Sequence, residues 1–179
     1  MPNESPREGA TAFLLAQVGA YAGRKFAEKI APLKLNPPHA GILRILQQTA
    51  GISQRELASR LRMHPSQLVA LVDEMEALGL IARKPNENDR RSYALQLTES
   101  GREALAKIRD LGREHSEALL FGLAPGERVT LSHLLERIAT HQGLTRGVHP
   151  GYSTLNTAPT GSGGPSPAAR TARKIKPRP

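Results

Sequence analysis

The sequence predicts a mostly α-helical fold with elements in the order α-α-α-α-β-β-α-α. Two short amphipathic helices joined by a few residues stand at its centre. A strand of alternating polarity follows them across a polar loop, and long amphipathic helices flank both. That outline is a winged helix-turn-helix with long terminal helices.

The first helix is predicted over about residues 9–31, where Leu14, Leu15, Val18, Tyr21, Ala22, Phe26 and Ile30 recur at steps of three and four. It ends near Pro32. Asn36 can cap a second helix whose first turn holds Pro37 and Pro38, where no backbone donor is needed. Its apolar face is Ile42, Ile45 and Leu46, and Thr49-Ala50-Gly51 closes it. Ser53-Gln54-Arg55-Glu56 matches a capping box and opens a short helix with Leu57 and Leu61 inward. Arg62-Met63-His64 breaks it. Pro65 restarts a helix whose inward face is Leu68, Leu71, Val72, Met75 and Leu78, and Gly79 ends it. Ile81 to Lys84 reads as a strand, followed by the polar loop Pro85 to Arg90. From Arg91 to Thr98 the chain alternates, with Tyr93, Leu95 and Leu97 on one face and Ser92, Ala94 and Gln96 on the other. Thr98 can cap a long helix to about Phe121, with Leu105, Ile108, Leu111 and Leu119 inward. Pro125 opens a last helix carrying Leu131, Leu134, Leu135 and Ile138.

Composition narrows the function. The chain has 179 residues and a net charge of +9, with three Phe, three Tyr and no Trp, so aliphatic side chains build its core. Cysteine is absent, which excludes disulfides, thiolate metal sites and thiol chemistry and fits a reducing, cytoplasmic setting. No apolar run is long enough to span a bilayer. Ala10 to Ala22 is apolar and ends in a cleavage-like Ala20-Tyr21-Ala22, but Glu4, Arg7 and Glu8 precede it and Gln17 and Gly19 interrupt it, which argues against a secretion signal. No Gly-x-Ser-x-Gly or Gly-x-x-x-x-Gly-Lys motif occurs, and no His-x-x-x-His pair, so neither enzyme chemistry nor a cofactor or metal is expected.

The positive charge is uneven. Arg170, Arg173, Lys174, Lys176 and Arg178 lie in a Gly/Pro-rich end with no acidic neighbour. Such a segment buries too little apolar surface to offset its ordering entropy. The expected organisation is a flexible start (1–8), a folded unit (9–146) and a disordered basic tail (147–179) that could act as an electrostatic arm. Within the unit the winged helix spans about 36–98. The helices at 9–31 and 99–143 are too apolar for so small a core, so their spare faces call for a second copy of the chain. Leu14, Val18, Phe26, Leu131, Leu134 and Ile138 are assigned to that surface.

Several stretches carry a family resemblance. They are Pro65-Ser66-Gln67-Leu68-Val69-Ala70-Leu71-Val72-Asp73, Gly79-Leu80-Ile81-Ala82-Arg83, Asp89-Arg90-Arg91 and Leu97-Thr98-Glu99-Ser100-Gly101. Together, over roughly residues 10–143, the chain resembles the MarR family of bacterial transcriptional regulators. It departs from the pattern at Val69 and Ala70, where Thr and Arg are common, at His64, where an Asp is common, and in the loop Asn86-Glu87-Asn88.

A helix-turn-helix lays the first residues of its second helix against base edges in the major groove. His64, Pro65, Ser66, Gln67 and Ala70 occupy that place, and a Gln can pair bidentately with adenine. The resemblance points to Arg91 as a wing residue inserted into the minor groove, with Asp89 pairing to orient it, and to Arg90, Arg83 and Lys84 on phosphates. Arg55, Arg60 and Arg62 flank the motif as further phosphate contacts. Relatives of this kind bind small aromatic or anionic effectors, for which Tyr21, His39 and His115 are the candidate polar groups. The expectation is a cytoplasmic, nucleoid-associated homodimeric repressor on a pseudo-palindromic double-stranded operator. The competing reading is an architectural DNA-binding protein of low sequence specificity.

Overall fold

The computed structural model describes residues 10–86, 89–149 and 152, and of residues 89–92 the backbone alone. Helix α1 (Ala10–Ile30) passes through a 3-10 turn at Ala31–Leu33 to α2 (Pro37–Gln48). A two-residue strand, β1 (Ile52–Ser53), leads into α3 (Gln54–Leu61) and α4 (Pro65–Ala77). The hairpin β2 (Ile81–Asn86) and β3 (Asp89–Leu97) precedes α5 (Glu99–Leu119) and α6 (Pro125–His141).

The helix starts follow local chemistry. Asn36 Oδ1 accepts from the His39 amide at 3.0 Å, and Ser53 accepts from the Glu56 amide while Glu56 reaches back to the Ser53 amide. Thr98 accepts from the Gly101 amide at 3.0 Å. Between α3 and α4 the chain turns through Arg62, held in the left-handed region at φ 53, a conformation that ends α3 and tucks Met63 into the core.

β1 is a strand the sequence did not predict. It pairs antiparallel with β3 through Ile52↔Leu95 and Ser53↔Ala94, so the sheet order is β1-β3-β2. Two residues are too few to show alternation, and the strand exists because β3 offers it an edge. This explains a second departure. Tyr93, on the face it shares with Leu95, is exposed and lies beyond the end of β1, whereas Ala94 and Leu95, opposite β1, are both buried although they alternate in sequence. Leu78 is exposed too, since it sits past the last turn of α4, where the inward face has run out.

The core gathers Ile42, Leu43, Leu57, Leu61, Leu68, Val72, Met75, Ile81 and Leu95 around the helix-turn-helix, joined by Leu105 and Ile108 of α5. Each such side chain contributes about 1.5–3 kcal/mol on burial. The terminal helices contrast with this. α1 buries only Ile30 and α6 buries nothing. Leu14, Val18, Leu134 and Ile138 are 50%, 51%, 47% and 45% exposed. Phe26 departs from that set and packs against the core.

The boundary drawn at residue 147 also needs correction. Val148 packs against the core and Tyr152 is 7% exposed, so folded contacts continue beyond it. Residues 1–8 and 153–179 lie outside the described residues, as does the expectation that they are disordered.

Candidate nucleic-acid interface

Helix α4 buries one face through Leu68, Val72 and Met75. The opposite face therefore looks outward, and its stripe is Ser66, Val69, Ala70 and Asp73, all exposed at helical spacing. His64 and Pro65 stand exposed at its start. Val69 is one of the positions where the sequence departs from the family pattern. On the outward stripe it is an apolar surface able to meet a thymine methyl group.

The polar groups here are partly committed. His64 Nδ1 accepts from the Ser66 amide at 3.4 Å and lies 2.7 Å from Ser66 Oγ. An accepting Nδ1 leaves the ring proton on Nε2, a donor suited to phosphate. Gln67 is half-buried, and its Oε1 accepts from the His64 amide at 3.2 Å, completing a capping box. Bidentate pairing of Gln67 with adenine would break that cap, so only its amide N–H groups are free to donate.

Arg83 departs from its expected role. Its guanidinium bridges Asp73 and Glu76 of α4, and its backbone amide donates to Glu76 Oε1 at 3.2 Å. Partial burial opposes its charge, but the hydrogen bonds to the two carboxylates prevail and raise its pKa. Arg83 thus ties β2 to α4 and fixes the wing relative to the outward stripe, and it is not free for phosphate. Arg60 is exposed but donates to Thr49 Oγ1 at 2.7 Å. Arg55, Arg62 and Lys84 are exposed as expected.

The backbone of Asp89, Arg90 and Arg91 lies in β3, at an irregularity. Pairing steps from Pro85↔Tyr93 to Asn86↔Asp89, so β3 carries extra residues there. Such irregularities re-aim side chains at the ends of sheets. The expected Asp89–Arg91 pairing concerns side chains outside the described residues.

The three effector candidates separate. Tyr21 and His115 line one cavity of about 360 Å³ between α1 and α5, together with Lys25, Glu28 and Lys29. Lys29 bridges Glu114 at 2.7 Å, and Phe26 stacks obliquely on His115 at 5.8 Å. His39 is elsewhere. It is 1% exposed, and its Nδ1 accepts from the Asn36 amide at 3.4 Å as part of the α2 cap. Burial pushes its pKa down, and Glu74, 3.3 Å from Nε2, offsets that only in part. His39 is a buried structural group of the α2 start, apart from the cavity that Tyr21 and His115 line.

Residues 33–92 match the model of the MarR family. A protein of Thauera aromatica named as a transcriptional regulatory protein for the hcr operon is 33% identical over 131 residues, covering 73% of this chain and 79% of that one. The chain belongs to the MarR family. It is a transcriptional regulator of MarR type and not an enzyme. This MarR-family chain is also 27% identical to an HTH-type transcriptional repressor of Mycobacterium tuberculosis, over 72% of its own length and 92% of the relative's. Among solved structures it resembles the repressor CouR bound to a 23-mer DNA duplex, at 29% identity and a TM-score of 0.67 over 77% of this chain and 99% of that one. It likewise resembles a MarR variant from E. coli, at 26% identity and a TM-score of 0.65 over 71% of this chain and 94% of the other. Among the described residues of this MarR-family protein, no cluster of His, Asp or Glu could hold a metal ion, and no helix is long and apolar enough to cross a membrane.

Proposed function

We propose that this regulator is a cytoplasmic homodimeric repressor that binds a pseudo-palindromic DNA operator and responds to a small aromatic or anionic ligand. The observation that carries the DNA reading is α4. Its inner face is fixed in the core while its first turn and outer stripe stand exposed beside the hairpin. The DNA-bound relative CouR and the mycobacterial repressor support the same reading. The uncovered apolar rows of α1 and α6 support a second copy, which would place two α4 helices on one duplex. The cavity holding Tyr21 and His115 supports the ligand, and Lys25 and Lys29 also line it, paired with Glu28 and Glu114.

One observation favours the low-specificity alternative. The outward stripe is poor in hydrogen-bonding groups, and Gln67 is committed to its cap. Specificity then leans on the wing. Arg91→Ala is expected to weaken binding to a selected duplex by about 1–3 kcal/mol and to relax sequence preference. Fluorescence anisotropy against selected and scrambled duplexes measures both. Unchanged affinity for the selected duplex would remove Arg91 from the interface.

A further inference from the structure

Helix α4 carries an apolar step on its outer surface. Ser66, Val69, Ala70 and Asp73 stand at i, i+3, i+4 and i+7 and form one four-cornered patch, all of it exposed. Val69 is 44% exposed and has no place in the core cluster. Local chemistry does not call for a valine there. A β-branched residue is a poorer helix former than the Ala, Leu or Lys that an exposed helical position accepts.

The polar corners of the patch are committed. With His64 Nδ1 accepting from the Ser66 amide, the Ser66 hydroxyl donates to the same nitrogen at 2.7 Å and keeps only its lone pairs for an outside partner. Asp73 is held by the Arg83 guanidinium, which also holds Glu76. That clamp supplies the counter-charge for a carboxylate that would otherwise repel phosphate. The patch is left presenting the two γ-methyl groups of Val69 beside the short Ala70. Ala70 matters by its size. A long side chain at that corner would hold the helix off the base pairs, whereas a single methyl lets Val69 come within contact distance of about 4 Å. Of the groups that base pairs expose in the major groove, the C5 methyl of thymine is the apolar one.

We propose that Val69 is a specificity-determining residue that reads a thymine through its C5 methyl, once in each half-site, with Ala70 giving it clearance. The proposal rests on the DNA-binding reading and adds to it the base and the atom that are read. Burying one methyl group contributes roughly fourfold in affinity, so one in each of two half-sites contributes about fifteenfold.

The test uses a duplex selected from a random pool by the full chain, resynthesised with deoxyuridine in place of its thymines, one symmetry-related pair at a time. Uracil pairs as thymine does and lacks only the methyl. Fluorescence anisotropy should find one pair whose replacement weakens binding by about fifteenfold. Val69→Ala should bind the thymine duplex about as weakly as the unaltered chain binds the uracil one, and its own response to the replacement should nearly vanish. Val69→Ala removes no core contact and favours the helix, so the variant folds. A duplex with no methyl-sensitive thymine would overturn the proposal. So would a sensitivity that persists undiminished in Val69→Ala, which would assign the methyl effect to the shape of the DNA. Tight binding that ignores the methyl leaves the DNA-binding reading standing, whereas a chain that binds no duplex sinks both.

Discussion

Raising salt from about 50 to about 200 mM lowers the affinity of this regulator for duplex DNA by roughly 10³–10⁵-fold, the effect of releasing counterions from about 6–10 phosphates. The structure indicates which cations can take part. Arg55, Arg62 and Lys84 are exposed around α4 and β2, and Arg90 and Arg91 lie at the β3 irregularity. Two copies bring about ten such groups, which sits in the range that gives this slope. Arg83 does not count, because Asp73 and Glu76 already neutralise it. Anisotropy titrations at several salt concentrations give the slope directly. Removing residues 153–179, with their five basic side chains, should make it shallower if that segment reaches phosphate. A flat response in the full chain would contradict a phosphate-gripping dimer.

Gly101→Ala is expected to destabilise the fold by about 3 kcal/mol, at the upper end of overpacking substitutions. The reason is a three-way junction. Thr98 donates its amide to the Leu80 carbonyl at 3.1 Å and its hydroxyl to the Gly79 carbonyl at 2.6 Å, then accepts from the Gly101 amide. These bonds pull the first turn of α5 onto the chain between α4 and β2. A Cβ on Gly101 would lie 2.0 Å from the Leu80 carbonyl oxygen, a backbone atom that cannot swing aside. Relief requires moving α5 away from the winged helix, which separates Leu105 and Ile108 from the core. Urea denaturation followed by circular dichroism measures the loss. Stability within about 0.5 kcal/mol of the unaltered chain, the range of neutral surface changes, would mean that the junction is looser than these contacts imply.

Legibility in the sequence tracked how local the governing chemistry is. Asn36, Ser53, Pro65 and Thr98 mark helix starts because a cap is settled within three or four residues, and each stands where the sequence placed it. β1 was illegible because its reason for existing is forty residues away, on β3. Arg83 was misread for the same cause. A basic residue on a wing suggests phosphate, and only folding brings Asp73 and Glu76 to it, although their i,i+3 spacing on one helix was a visible hint. Gln67 was read as a base reader because a His-x-x-Gln start does not look like the usual Ser/Thr capping box. His39 reads as a cavity group in the sequence, whereas it is the third helical residue after the Asn36 cap, where its ring completes a capping box. Tyr152, isolated in a Gly/Pro-rich end, offered no periodicity at all. Its trace in the sequence is Gly41 in α2, where an added Cβ would meet the Tyr152 ring.

The most direct measurement is hydroxyl-radical footprinting of the protein on the DNA upstream of its own coding sequence. Paired α4 helices and wings predict protection in two clusters, related by two-fold symmetry and centred about one helical turn apart. A single cluster, or uniform protection along the fragment, would contradict a dimer that reads two half-sites.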